Sequence, residues 1–325
     1  MNIDPLTLLV PRRRIVGMAA VLLPFHDDQG GVDWSGFERL LSGTFDAGLV
    51  PAVNMDTGFA NLIDDETKRR VLEITQRIAN GKAFIGGAFV KDGRGSAFNV
   101  DAYRQSMETV QSFGGDPIVF PSFGMQSLPS ADLVSAFEQF ARWSPRYYAF
   151  ELGEAFVPFG RIFTIDEFSR IMDVAACVGA KHSSLRRTLE WERLILRNRQ
   201  RPEFQILTGN DLAIDMVMFG SDYLLGLATF SPELFALRDS FWRNGDVRFS
   251  ELNDALQYLG AFSFRSPTPA YRHSAAMFLK LAGRIACDAT HPQSPKRDES
   301  DRGILEGVIE RLREFQPNRG AQSGV

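Results

Sequence analysis

Cysteine is almost absent from this 325-residue chain: there are two, Cys177 and Cys287, far apart and each within an apolar run. That excludes a disulfide framework and a cysteine-based zinc site, and it fits a reducing, cytoplasmic setting. Histidine is also scarce. The four residues (His26, His182, His273 and His291) have no ligand spacing, which argues against a bound metal. No run approaches the ~18 apolar residues of a membrane span, so a soluble protein without a membrane partner is expected. Leu6–Val10 is too short for a signal segment, and Arg12–Arg14 follow it instead of preceding it. The net charge of −4 leaves no basic footprint for nucleic acid. Only six of the 36 basic residues are lysine, so any lysine in an apolar setting stands out.

What is present is ordinary globular composition, with 44% apolar and 23% charged residues, which rules out a mainly disordered or collagenous chain. The length suits two average domains, or one α/β barrel of ~250 residues with an addition.

Periodicity supplies the architecture. Strand-like runs fall at Met18–Leu23, Leu49–Asn54, Phe84–Phe89, Pro117–Phe120, Tyr147–Leu152, Ala176–Lys181, Phe204–Thr208 and Tyr223–Ala228. Helix-period segments separate them, several opened by capping residues: Asp33, Asp64 and Ser130. Eight strands alternating with helices predict an α/β fold, a closed (β/α)₈ TIM barrel. An open doubly wound sheet would carry a Gly-rich phosphate loop where this chain has Pro24-Phe25-His26. The barrel is expected over residues 1–231, a C-terminal helical extension over 232–316, and a frayed tail over 317–325.

In such a barrel the reactive groups stand at the C-terminal ends of strands. Period two from Cys177 through Gly179 puts Lys181 on the interior face. Desolvation there lowers a lysine's pKa and frees the amine as a nucleophile toward carbonyls. On spacing alone, the plainer reading stands ahead: a strand-end lysine reaching solvent or pairing with a carboxylate. On the fifth strand, the bulky set Tyr148, Phe150 and Leu152 suits the helix-facing side, which turns Glu151 inward, in reach of Lys181 for proton transfer. Its plainer reading is a buried partner that neutralises a cation. Asp56-Thr57-Gly58 after the second strand, and Thr208-Gly209-Asn210-Asp211 after the seventh, fit substrate binding or simple turn chemistry.

Taken in order, these segments resemble the dihydrodipicolinate synthase / N-acetylneuraminate lyase family of Schiff-base aldolases. The likeness spans roughly residues 17–292. Leu23-Pro24-Phe25 with Gly31-Val32-Asp33-Trp34 resembles the family's opening Thr-Pro-Phe and first helix. Met55-Asp56-Thr57-Gly58 stands in the place of its Gly-Thr-Thr-Gly-Glu loop, and Val178–Ser184 resembles the segment of the Schiff-base lysine. Thr208–Asp211 resembles its Ser-Gly-Asp-Asp turn, and Gly220–Glu233 its eighth-strand segment. The resemblance implies a lyase or aldolase with no cofactor beyond the covalent Schiff base on Lys181. It also implies a small carbonyl substrate of the 2-oxo acid kind, and a homo-oligomer, dimer or tetramer.

The departures are specific. The family's proton relay joins a tyrosine on strand five, the first Thr of the strand-two loop and a tyrosine after strand four. Here those places hold Phe150 or Glu151, Asp56, and Pro121-Ser122-Phe123. Asp56 also sets negative charge where the family binds a substrate carboxylate, which weakens that binding. The expectation is therefore a lyase with Lys181 as nucleophile and Glu151 as proton shuttle. Asp56, Thr57, Gly58, Gly209 and Asn210 line the substrate, with Asp56 protonated or binding a substrate hydroxyl or amine. The alternatives are 4-hydroxy-tetrahydrodipicolinate synthase proper, acting on pyruvate and aspartate semialdehyde, and a binding relative without turnover.

Overall fold

The computed structural model describes residues 3–316. Eight parallel strands close into a barrel in sequence order: β1 Gly17–Ala20, β2 Val50–Val53, β3 Ile85–Ala88, β4 Asp116–Val119, β5 Tyr147–Leu152, β6 Cys177–Ser183, β7 Gln205–Thr208 and β8 Asp222–Leu225. Each falls on one of the expected runs. Helices α1 (Trp34–Asp46), α2 (Asp65–Ala79), α3 (Val100–Ser112), the short α4 (Phe123–Gln126), α5 (Ser130–Phe140), α6 (Ile165–Met172) and α7 (Arg187–Gln200) follow strands one to six. The seventh connection is a 3₁₀ turn, Ile214–Phe219.

The caps follow from side-chain chemistry. Asp33 accepts from the Gly36 amide and Asp64 from the Thr67 amide, each satisfying a free donor of the first turn. Ser130 is the first helical residue of α5 instead of its cap; Pro129 occupies that place.

The barrel interior is filled by Met18, Ala20, Ala52, Ile85, Ile118, Tyr148, Phe150, Leu207 and Leu224, a packed core and not a pore. Tyr147 and Ala149 face outward, against Phe137 and Phe140 of α5. This reverses the pleat expected for β5: Tyr148, Phe150 and Leu152 point into the barrel, and Glu151 points out. In β6 the register shifts, so that Tyr147 pairs with Cys177 but Tyr148 with Gly179. The extra residue, Val178, is a bulge that sends Cys177 to the helix-facing side while Gly179 and Lys181 stay inside.

Beyond β8, α8 (Pro232–Asn244) packs against α1 and β1 and so completes the outer ring. The helical region therefore departs from the ring at α9 (Arg248–Ser263), and continues through α10 (Tyr271–Leu281) and α11 (Asp301–Arg313). It shares one apolar core with the barrel's α1, α2 and α8, through Leu256, Met277, Leu305 and Leu312. The expected tail, 317–325, lies outside the described residues. Among those residues no helix is long and apolar enough to cross a membrane.

Candidate active site

Lys181 sits near the C-terminal end of β6, with its side chain only 5% exposed inside the barrel mouth. Its ammonium position lies 4.4 Å from the centre of the Phe150 ring, contributed by the neighbouring strand. Burial lowers the Lys181 pKa; the negative charges of Asp56 and Asp211 oppose that shift without cancelling it. Gly209 makes the room. A Cβ there would stand 2.7 Å from Lys181 Cε and collide with Ser183 Oγ, so any larger residue would displace the lysine.

After β2 the chain turns through a single 3₁₀ turn, Asp56–Gly58. Asp56 Oδ1 lies 4.0 Å from Lys181 Nζ, and this buried oxygen has no hydrogen-bond partner. The other carboxylate oxygen, Oδ2, accepts a 2.9 Å hydrogen bond from the Tyr271 hydroxyl. Because the Tyr271 proton is engaged there, its oxygen accepts from Thr57 Oγ1 at 2.8 Å. The Gly58 amide donates to the Met55 carbonyl, and the Phe59 amide to that of Asp56.

Tyr271 is the first residue of α10, so the helical extension reaches into the site. Its ring stacks on Phe264 at 4.2 Å. Gly226, after β8, permits the approach: a Cβ there would lie 3.1 Å from the Tyr271 ring and 3.2 Å from Thr57 Oγ1. Burial, with Asp56 beside it, pushes the Tyr271 phenol well above its usual pKa. Arg272 donates to the Asp56 carbonyl at 3.3 Å and lies over Phe59.

The turn after β7 divides its labour. Asn210 Oδ1 accepts from the Leu212 amide, a turn-stabilising bond, whereas Asp211 is buried within electrostatic reach of Lys181. Burial raises the Asp211 pKa to about 7, although the Leu227 amide and Lys181 favour its ionised form.

Glu151 is not in this constellation. It lies outside the barrel wall, fully buried, accepting from Arg193 Nε at 2.8 Å and Nη2 at 2.6 Å, from His182 Nδ1 at 2.8 Å and from the Phe163 amide at 3.0 Å. Burial alone would raise its pKa, but Arg193 and His182 hold it at about 2. An ionised carboxylate with every lone pair engaged ties α7 to the barrel; it does not carry protons to Lys181. The structure thus brings Lys181, Asp56, Thr57 and Gly209 together and separates Glu151. It adds Tyr271 and, from the turn after β7, favours Asp211 over Asn210. Among the described residues no group of three His, Cys, Asp or Glu side chains is placed to hold a metal ion, and both cysteines are free.

The fold defines the class, a closed (β/α)₈ barrel with a C-terminal helical extension, and solved structures of dihydrodipicolinate synthases and their relatives share that fold. A monomeric dihydrodipicolinate synthase variant superposes with a TM-score of 0.79 at 18% identity, over 95% of this chain and 99% of that one. The prophage protein YagE of E. coli K12, a member of the dihydrodipicolinic acid synthase family solved with pyruvate, gives 0.78 at 17%, over 92% and 98%. A catalytic lysine mutant of the Ruminococcus gnavus sialic acid aldolase gives 0.76 at 16%, over 93% and 96%. No family model and no curated protein matches the sequence, so the likeness is one of fold.

Proposed function

We propose that the chain is a Schiff-base-forming lyase, a divergent member of the dihydrodipicolinate synthase / N-acetylneuraminate lyase family, acting on a small carbonyl compound through Lys181. The observation that carries the reading is Lys181 itself: a buried lysine of lowered basicity at the C-terminal end of a barrel strand, beside an unpartnered carboxylate oxygen. Burial leaves more of its amine neutral, and so nucleophilic, than an exposed lysine has.

In this reading the amine adds to the substrate carbonyl. A C–N bond forms and the carbonyl π electrons move to oxygen. Protonation of that oxygen and loss of water give an iminium. The iminium then draws in the electrons of a neighbouring C–C bond as it breaks, leaving an enamine. A proton returned to carbon, followed by water, regenerates Lys181 and releases the product. Asp56, whose Oδ1 faces Nζ, and Tyr271, bonded to its Oδ2, are the nearest groups able to hold and pass these protons. Phe150 fills the inward place on β5, so a phenylalanine stands where the family carries its tyrosine, and Tyr271 arrives from the opposite end of the chain instead.

That phenylalanine also supports a second reading, a binding relative without turnover. Reductive trapping separates the two. A substrate-derived secondary amine on Lys181, absent from Lys181→Ala, supports the lyase. A folded protein that yields no adduct with any carbonyl tested favours the binding module. The family likeness extends to a homo-oligomer, which sedimentation would test.

A further inference from the structure

The mouth of the barrel is divided into two kinds of surface. On the β3–β5 arc stands a run of phenylalanine rings. Phe150 meets Phe120 edge-on at 4.9 Å, Phe120 meets Phe89 at 5.7 Å, and Phe89 meets Phe159 of the loop after β5 at 5.9 Å. On the other side of Lys181 stand Asp56 and Asp211.

Several donors near Lys181 are already engaged. Thr57 donates to Tyr271, Tyr271 to Asp56, and the Gly58 amide to the Met55 carbonyl. Arg272 turns its guanidinium to the Asp56 and Pro269 carbonyls and to the Phe59 ring. Lys68, the cation beside Phe89, is held by Asp65 at 2.9 Å. A carboxylate next to the reacting carbonyl would lie beside Asp56 Oδ1, and the two acids would share the single positive charge of the iminium nitrogen. That oxygen is an acceptor without a donor, and it suits a hydroxyl on the substrate.

We infer that the carbonyl substrate is a neutral aldehyde or ketone, not a 2-oxo acid, with an apolar or aromatic group lying on the phenylalanine arc and a hydroxyl reaching Asp56. This rests on the Schiff-base reading of Lys181. The chemistry stays balanced. The β-hydroxyl of such a compound gives its proton to Asp56 as the adjacent C–C bond breaks into the iminium, releasing an aldehyde and leaving the enamine.

Matched pairs test it: pyruvate with methyl pyruvate, and phenylpyruvate with its methyl ester, each trapped with cyanoborohydride and quantified on the Lys181 peptide. Each rate is divided by that of the same compound with free Nα-acetyl-lysine, which removes intrinsic reactivity. The expected result is that the esters label Lys181 at least ~10-fold more efficiently than the acids, a difference of about 1.4 kcal/mol. The phenyl ester should exceed the methyl one, and Asp56→Asn should close most of the gap between acid and ester. Acids that label as well as their esters overturn the inference while leaving the Schiff base intact. A gap unchanged in Asp56→Asn overturns the role given to Asp56. No Lys181 adduct with either member overturns the Schiff-base reading itself.

Discussion

The Tyr271 hydroxyl donates to Asp56 Oδ2 at 2.9 Å, joining two residues 215 positions apart. One stands on the turn after β2 and the other at the first residue of α10. The bond ties the helical extension to the barrel mouth: Thr57, Tyr271 and Asp56 form one hydrogen-bonded line that ends beside Lys181.

If that line carries protons, Tyr271→Phe keeps the ring stacked on Phe264 and keeps Lys181 reactive, but loses turnover. A fall of about 100-fold in kcat is expected, the usual scale for removing a general acid–base group. Adduct formation on Lys181 should change much less. Steady-state kinetics set beside trapping rates would separate the two effects.

Glu151→Gln should behave in the opposite way. Removing this charge leaves Arg193 buried without its partner, a loss of about 3–5 kcal/mol. Denaturant unfolding would show it. Among the molecules still folded, the rate of Lys181 labelling should match the wild type, because Glu151 lies on the far side of the strand.

Gly209→Ala should spare the fold and lose the site. The added methyl meets Lys181 Cε and Ser183 Oγ, and overpacking of this kind costs about 1–3 kcal/mol. Labelling of Lys181 is expected to drop by at least ~10-fold as the side chain is pushed from its place. Peptide mapping reads the drop directly.

Asp211 has a pH signature. Burial raises its pKa to about 7 in the folded chain, well above its unfolded value, so the folded state holds the proton more firmly. Its contribution to stability is therefore present at low pH and is lost as pH rises through about 7. Asp211→Asn can still accept from the Leu227 amide and removes this loss. Its melting temperature relative to the wild type should rise between pH 5 and pH 8, by a free-energy difference on the order of 2 kcal/mol.

Much of the fold was legible because parallel barrel strands are short apolar runs with clear punctuation, and Asp33 and Asp64 announce their helices. The interior position of Lys181 was legible from its period-two spacing with Gly179. On spacing alone, however, a lysine reaching solvent or paired with a carboxylate stood ahead, and the nucleophile's role came from the family resemblance. The facing of β5 was not legible. Tyr147-Tyr148-Ala149-Phe150-Glu151-Leu152 has bulky residues on both faces, so either pleat looks plausible. The decision depends on partners that no local pattern reveals. Arg193 stands ready outside the wall for Glu151, and Gly179 across from Tyr148 leaves room inside. The bulge at Val178 likewise breaks the alternation counted from Cys177. Tyr271 lay beyond local reasoning, since its role depends on a helix returning over the barrel mouth from more than two hundred residues away. Asp211 carried a weak signal, standing in the same turn as Gly209 and Asn210. What singles it out is burial near Lys181.

The most direct measurement is peptide mapping after reductive trapping at neutral pH, with a panel of aldehydes, ketones and 2-oxo acids. The chain has six lysines, of which Lys181 is the buried one facing Asp56. The account predicts one adduct per chain, on Lys181, lost in Lys181→Ala. Adducts spread over the exposed lysines, with Lys181 unmodified in a folded protein, would contradict it.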